Sequence, residues 1–503
     1  MMRMRLDRTD MLCAGFLFFA GACLCAQVLW SGEWGIRPVI EDEFVYLFQA
    51  KTLAAGRLSY PSPPLPEFFE AAHILVVPRF AGKYLPGHPA VMAPFVAAGL
   101  PWLAPCFLLG AIAALLFLCA RAAGLVRAAA ALAAALLLGS ADAFHWFASY
   151  LSQTSSTAWV AAGILALLAV QTRPSAVRVA VLAVCVAAAG LTRPFTGVAL
   201  GIAALALIVR LRLPARTCIA AVPPLLCAAL VAASVARATT GSWTTLPWML
   251  YARQYTPFDR PGLGPAADVL PERPLPEHLR GLANALLDSR NRHTAAHLPR
   301  EVLRRIDTAA RLMPGWALFP FALLGIRLTP LWPAAAFACA FFVLQLSFFG
   351  GVTFYHLDLV PWLALSAATG VQLALRSAAR LRGIRRIAAM SVVALALSWT
   401  AASMARQAWQ LYRFRLPERG KSFARWEPVF HFLRQQRALV FIHYPREGWN
   451  GHYDLTYNEP DLARAELVRA IDLGARDAQL MQFFPDRPAY RFDPITLELT
   501  RLR

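Results

Sequence analysis

The sequence predicts a polytopic α-helical membrane protein of about eleven transmembrane helices, with a small α/β domain at its C-terminal end. Composition is the first ground. Of 503 residues, 58% are hydrophobic and only 16% charged, with a mean hydropathy of +0.49. Soluble domains run at about 45–50% apolar and about a quarter charged. The second ground is patterning, because from Met11 to Met404 the chain is mostly apolar blocks separated by short polar breaks. The third is the placement of arginine. A cytosolic enzyme, a secreted enzyme and a disordered scaffold are excluded together.

The apolar blocks are 11–30, 102–120, 125–141, 156–171, 177–191, 194–210, 217–236, 313–328, 330–350, 355–374 and 386–404. A span perpendicular to the bilayer needs about 20 residues, so the shorter blocks carry loose boundaries. Residues 1–30 have the outline of a signal peptide, with Arg3, Arg5 and Arg8 before an apolar run and Ala-Cys-Leu-Cys-Ala before Gln27. The block is long and further spans follow it, so an uncleaved first helix is expected.

The chain carries 49 Lys+Arg against 29 Asp+Glu, a net charge of +20, and its only lysines are Lys51, Lys83 and Lys421. Such a balance in a soluble protein would suggest nucleic acid. Here the arginines sit in short loops: Arg3/Arg5/Arg8, Arg121/Arg127, Arg173/Arg178, Arg210/Arg212/Arg216, Arg327 and Arg376/Arg380/Arg382/Arg385/Arg386. Eleven spans put all of these on one side, which the positive-inside rule makes cytoplasmic. The expected location is a bacterial-type inner (plasma) membrane, with a cytoplasmic N-terminus and a periplasmic or extracellular C-terminal domain. Nucleic acid is not an expected partner; membrane lipid is. All nine cysteines fall in apolar blocks, so no disulfide framework or zinc site is implied.

The domain reading is residues 1–404 as a transmembrane domain with outer loops 31–101 and 237–312, and 405–503 as a small soluble α/β domain on the outer face. In the first loop, Phe44, Leu47, Phe48, Lys51 and Leu53 have helical spacing and Gly56 can end the helix. Pro61 to Pro66 reads as extended. The second loop carries amphipathic helices near 277–289 and 297–311. In the tail, Ala438 to Tyr444, Ala489 to Phe492 and Ile495 to Leu499 read as strands and 475–484 as a helix.

Acidic residues are scarce in the membrane half, so Glu41-Asp42-Glu43, just beyond the first span, stand out. A helix cap is one role for them and a catalytic base another, and the two are compatible. Asp142 and His145 form a second outer-face group. Lys83 with Tyr84, together with Arg193, Arg253, Arg260 and His356, are outer-side groups suited to a phosphate. Trp146 and Trp243, like Tyr84, can stack on a sugar ring or mark the membrane interface. No Walker loop, dinucleotide fingerprint, His-Glu metal motif or nucleophile elbow is present.

Several stretches together resemble GT-C membrane glycosyltransferases. They are Glu41-Asp-Glu-Phe-Val-Tyr-Leu-Phe-Gln-Ala50, Gly56-Arg-Leu-Ser-Tyr-Pro61 and Gly82-Lys-Tyr-Leu-Pro-Gly87 in the first loop, then Ser149-Tyr-Leu-Ser-Gln153 and Leu191-Thr-Arg-Pro194. Thr240-Gly241, Pro247, Tyr255-Thr-Pro257, Gly262-Leu-Gly264 and Tyr355-His356 extend the match. Tyr457-Asn-Glu-Pro-Asp461 and Phe484-Pro-Asp-Arg487 carry it into the tail. More narrowly, the chain is similar to bacterial members of glycosyltransferase family 39, the group of protein O-mannosyltransferases and the aminoarabinose transferase of lipid A.

The resemblance implies a GT-C-like fold and a polyprenyl-phosphate sugar donor. It also implies inverting transfer of a hexose or pentose to a lipid, glycan or protein acceptor on the non-cytoplasmic face. The family's Asp-Glu motif falls on Asp42 or Glu43, with Glu41 a third carboxylate. The donor phosphate would meet Lys83, Tyr84, Arg193, Arg253 and His356, and Asp142 would be a second acidic site. The sequence assigns no cofactor and leaves a divalent metal open, since a carboxylate cluster is able to hold Mg²⁺ or Mn²⁺. A polymerase or ligase using polyprenyl-diphosphate glycans, a transporter and a non-catalytic assembly subunit stay open as alternatives. A transporter is expected to carry ionisable groups at mid-membrane, whereas these cluster at loop ends.

Overall fold

The computed structural model describes residues 6–32, 35–265, 269–312, 315–326, 329–350, 353–445 and 448–503. Arg3, Arg5, Arg327 and the first two residues of the 313–328 block lie outside them. The chain is a multi-pass integral membrane protein. Among the described residues seven helices are long and apolar enough to cross a membrane: Arg8–Trp30, Leu103–Ala122, Ser152–Thr172, Pro194–Leu211, Ala215–Thr240, Thr353–Ala379 and Gly383–Ala424. The pair Arg127–Gly139 and Ala141–Phe147, bent by 69°, makes an eighth if it is one span. Helices Ala176–Thr192 and Trp332–Gln345 are shorter, and among the described residues the 313–328 block holds the short helix Phe319–Gly325. Length and composition alone thus reach seven or eight spans, against the expected eleven.

The bend in the third block has a local cause. Ser140 leaves the helix in an extended conformation, and its hydroxyl caps the next helix at the Ala143 N–H and donates to the Leu312 carbonyl at 2.6 Å.

The chain divides into two compact units. The first comprises 1–31, 102–229 and 296–416. Its helices pack through small residues, as expected where lipid supplies no hydrophobic drive between helices. A Cβ on Gly110 would stand 2.5 Å from the Phe18 carbonyl oxygen, and one on Gly370 would strike the Phe321 carbonyl. Polar groups close the ends of the bundle. Fully buried Asp10 accepts from Arg121 and Arg127, each at 2.9 Å. Arg305, also fully buried, donates to the carbonyls of Gln345, the last residue of the Trp332–Gln345 helix, and of Phe348 just beyond it.

The second unit comprises 32–101, 230–295 and 417–503. The tail therefore shares a core with segments of both long loops. Strands β1 (Tyr60–Pro61), β2 (Ile74–Leu75) and β3 (Arg79–Gly82) form an antiparallel sheet in the order β1-β3-β2, in a segment whose sequence reads as loop and turn. Strands β4 (Leu439–Ile442), β5 (Val468–Ile471), β6 (Ala489–Phe492) and β7 (Leu499–Arg501) form a second sheet in the order β5-β4-β6-β7. Here β4 is parallel to both neighbours and β7 antiparallel to β6.

The continuous apolar run of β4 fits a strand covered on both faces. Alternation sends Leu439 and Phe441 into a core with Val45, Phe48 and Phe68, and Val440 and Ile442 into another with Trp426 and Phe430. The last strand starts at Leu499 instead of Ile495. The Asp493 carboxylate accepts the N–H groups of Ile495 and Thr496 and turns the chain there. The first-loop helix spans Glu41–Ala54, with Gly56 in the left-handed region after it, and the second-loop helices are Arg280–Arg292 and Leu298–Leu312.

Candidate functional site

The first-loop helix opens on three successive carboxylates, and a helix turns about 100° per residue, so they point three ways. Glu43, fully buried, folds back as half of a capping box. Its carboxylate accepts the N–H groups of Val39 at 2.8 Å and Ile40 at 3.1 Å and lies 3.6 Å from the Arg419 guanidinium. Glu41 pairs with His452 Nδ1 at 3.0 Å, and that hydrogen bond raises the imidazole above its usual range. Asp42 takes a third direction. Its Oδ1 accepts from the Tyr84 hydroxyl and faces His73 Nε2 at 3.5 Å, and about a fifth of its side chain is exposed.

A β-hairpin and a short helix supply the surroundings of Asp42. Antiparallel pairing of β2 with β3 sets Ile74 against Gly82, and the Lys83 N–H donates to the His73 carbonyl at 3.0 Å. Residues at the two ends of the hairpin, His73 and Lys83-Tyr84, are thereby held side by side. The Gln49 amide, two turns along the first-loop helix, donates to the Tyr84 carbonyl at 2.7 Å, and the Tyr46 ring stacks on the Tyr84 ring at 4.5 Å.

His73 is a non-glycine residue at φ 65°, an uncommon conformation that its neighbours enforce. Its N–H donates to the Tyr251 hydroxyl at 3.0 Å. On the residue before it, the Ala72 N–H donates to Asp454 at 2.8 Å and the Ala72 carbonyl accepts from the Tyr457 hydroxyl at 3.0 Å. Burial would raise the Asp454 carboxyl, yet His278 and the Thr456 donors hold it below the ordinary range, so it stays an acceptor. Burial, then the positive charges of Lys83 and His452, push the His73 imidazole well below its usual range. At neutral pH the ring beside Asp42 is uncharged.

Lys83 is largely buried. Its Nζ lies over the rings of Tyr251 at 5.0 Å and Tyr84 at 5.4 Å, and 3.7 Å from the Asp259 carboxylate. Tyr251 is presented by the Pro247–Tyr255 helix, which begins with proline at its first turn. The helix is moored through Tyr255, whose hydroxyl donates to Glu70 at 3.1 Å, and Arg273 pairs with the same carboxylate at 2.6 Å. A lysine held by two aromatic faces and one loosely placed carboxylate keeps donors for another acceptor.

Within the second unit, not every residue picked from the sequence joins this cluster. Arg253 is exposed and pairs with Glu272 at 2.8 Å, and Arg260 and Trp243 are also exposed. Asp142, Arg193 and His356 belong to the first unit. There Asp142 pairs with Arg415, and His145 and Trp146 pack edge to face at 5.2 Å. The Arg193 guanidinium lies 5.2 Å from the Tyr355 ring and 3.5 Å from Ser152 Oγ, while His356 is buried in the turn Thr353–Leu359. Among the described residues no group of three or more His, Cys, Asp or Glu side chains is placed to hold a metal ion.

Sequence reasoning passed over His73, Tyr251 and Asp259. It also passed over Asp358, a buried carboxylate of the first unit that accepts from Ser156, Thr157 and Thr196. The signal for Asp358 was present, as an acid inside the apolar block 355–374. His73 had none in its local sequence.

No family model and no curated protein matches the chain. Solved structures do. ArnT from Cupriavidus metallidurans bound to undecaprenyl phosphate superposes with a TM-score of 0.55 at 14% identity, over 97% of this chain and 93% of that one. The apo state of the same protein gives a TM-score of 0.51 at 14% identity, over 95% and 92%. The chain has the GT-C fold. At this identity the likeness is one of fold, and it extends over nearly the whole of both chains. Within the GT-C fold of this chain, the second unit is where Asp42, His73, Lys83 and Tyr84 converge.

Proposed function

We propose that this chain is a membrane glycosyltransferase that moves a sugar from a polyprenyl-phosphate donor to a lipid, glycan or protein hydroxyl on the non-cytoplasmic face, with inversion. The observation that carries the reading is the partly open Asp42 carboxylate at a helix start, with Lys83 and Tyr84 beside it. The GT-C fold and the undecaprenyl phosphate bound to ArnT support the choice of donor.

In this reading the acceptor oxygen bonds to the anomeric carbon as its proton passes to Asp42. The bond from that carbon to the phosphate oxygen breaks, and its electron pair leaves with the polyprenyl phosphate. A lipid phosphate is a weak base, so it departs without a general acid and one carboxylate suffices, unlike the two needed for glycoside hydrolysis. Lys83 meets the charge that grows on the leaving phosphate. Neutral His73 and the Tyr84 hydroxyl keep Asp42 oriented without a formal positive charge on either.

Replacing Lys83 with alanine removes a charge-assisted interaction of about 1.5–3 kcal/mol, so donor kcat/KM is expected to fall roughly 10- to 100-fold. Initial rates across donor concentrations, at saturating acceptor and with the purified protein's melting curve unchanged, measure this. An unaltered donor dependence assigns Lys83 to packing alone.

The proposed orientation follows from the arginine loops. Reporter fusions at residues 60, 270 and 450 are expected to report the outer compartment in all three cases. A cytoplasmic signal from any of them removes the outer-face site.

A further inference from the structure

Besides the Asp42 cluster, the second unit contains a cavity of about 660 Å³. That is within the range of about 300–1,000 Å³ usual for small-molecule sites. One wall is the first-loop helix, through Phe44 and Lys51. These two residues lie about 180–200° around the helix from Asp42, on the opposite face. The cavity is therefore distinct from the proposed catalytic cluster.

The remaining walls are Tyr60 of β1, the segment following Tyr457, and Arg434 and Arg469. Charge on this lining is abundant and mostly matched. Lys51 pairs with Glu459, Arg434 with Glu427, and Arg464 with Asp461 at 3.7 Å. Two charges are unmatched: the exposed Glu466, and Arg469, for which among the described residues no carboxylate lies within 4 Å of the guanidinium. It rests 4.5 Å from the centre of the Phe430 ring and donates to the Tyr457 carbonyl at 3.3 Å.

Its position is built. Asn458 accepts the Arg469 N–H at 2.8 Å and donates to the Arg469 carbonyl at 2.7 Å, occupying the free edge of β5. Burial, then the neighbouring Arg434, lowers its guanidinium to about 10, which leaves it cationic at neutral pH. Glu427 and Glu459 act on it only from beyond 4 Å, so a cation held in a concave site with no carboxylate in contact suits an anion, and the planar guanidinium matches a carboxylate or phosphate. The surrounding carboxylates, amide and aromatic rings are groups that accept from hydroxyls and cover the apolar side of a sugar ring.

We propose that this cavity is a second, non-catalytic site that binds an anionic saccharide, its carboxylate or phosphate on Arg469 and its ring against Tyr60. The proposal stands apart from the transfer reaction and does not require that Asp42 be the base.

The test is calorimetric titration of the full-length protein in detergent with glucuronate, glucose 6-phosphate, glucose and inorganic phosphate. Saturable binding of at least one anionic sugar is expected, at least tenfold tighter than glucose or phosphate, and the tighter of the two sugars identifies the acidic group. Arg469→Gln should weaken it at least tenfold and Asp42→Asn should not. Lys51→Glu, at a half-exposed position, should weaken the anionic sugar and leave glucose unaffected; it carries the test if the Arg469 variant fails to fold. Equal affinity for glucose, equal affinity for free phosphate, or binding indifferent to Arg469 and Lys51 overturns the proposal.

Discussion

Asp42→Asn is expected to slow sugar transfer by about 10²–10⁴-fold, the range for loss of a general base. The substitution keeps the size of the side chain, and the amide oxygen can still accept from the Tyr84 hydroxyl, so the geometry described above survives. What disappears is the capacity to take a proton. Because Asp42 is partly open to solvent, the cost in stability should be small, and the variant should melt like wild type. Single-turnover transfer from a polyprenyl-phosphate sugar, with membranes supplying the acceptor, reads the chemical step directly. A wild-type rate in this variant removes Asp42 from the chemistry and the proposed mechanism with it.

Glu43→Ala is expected to act on stability instead. The residue caps two backbone N–H groups and pairs with Arg419, whose side chain is only 8% exposed. Removing one partner of a buried ion pair costs about 3–5 kcal/mol, and loss of the cap adds about 1 kcal/mol. The variant should melt well below wild type or fail to accumulate. Glu43→Gln, which still offers an oxygen to the backbone, should fall between the two and retain measurable transfer. Thermal unfolding of the purified variants beside their transfer rates separates the cases. If Glu43→Ala melts normally yet transfers nothing, the two carboxylates have exchanged the roles assigned here.

These two predictions also mark how far the sequence could be read. The acidic trio, the helix it opens and the glycine that closes that helix were all legible, because capping and 3.6-residue periodicity are local properties. Which carboxylate faces the open site was not. The partners that sort them are His452 for Glu41, Tyr84 and His73 for Asp42, and Arg419 for Glu43, up to 411 residues away in the chain. Arg253 shows the converse: an arginine in the expected outer loop turned out to be a solvent-exposed partner of Glu272. The short strands of the first loop were missed for a related reason. Two to four residues are too few to show alternation, and their register comes from the pairing itself.

By itself, the sequence determined that this chain lives in a membrane, where most of its helices lie, and that its polar segments carry the scarce acids and lysines. Those are consequences of composition and short-range period, since a bilayer selects on apolar length alone. The tertiary structure decided that segments of the two long loops share a core with the tail, that His73 is forced into a left-handed conformation beside Asp42, and that among the described residues no carboxylate lies within 4 Å of the Arg469 guanidinium. Each of these depends on contacts between distant segments, and no local pattern encodes which distant residue will arrive.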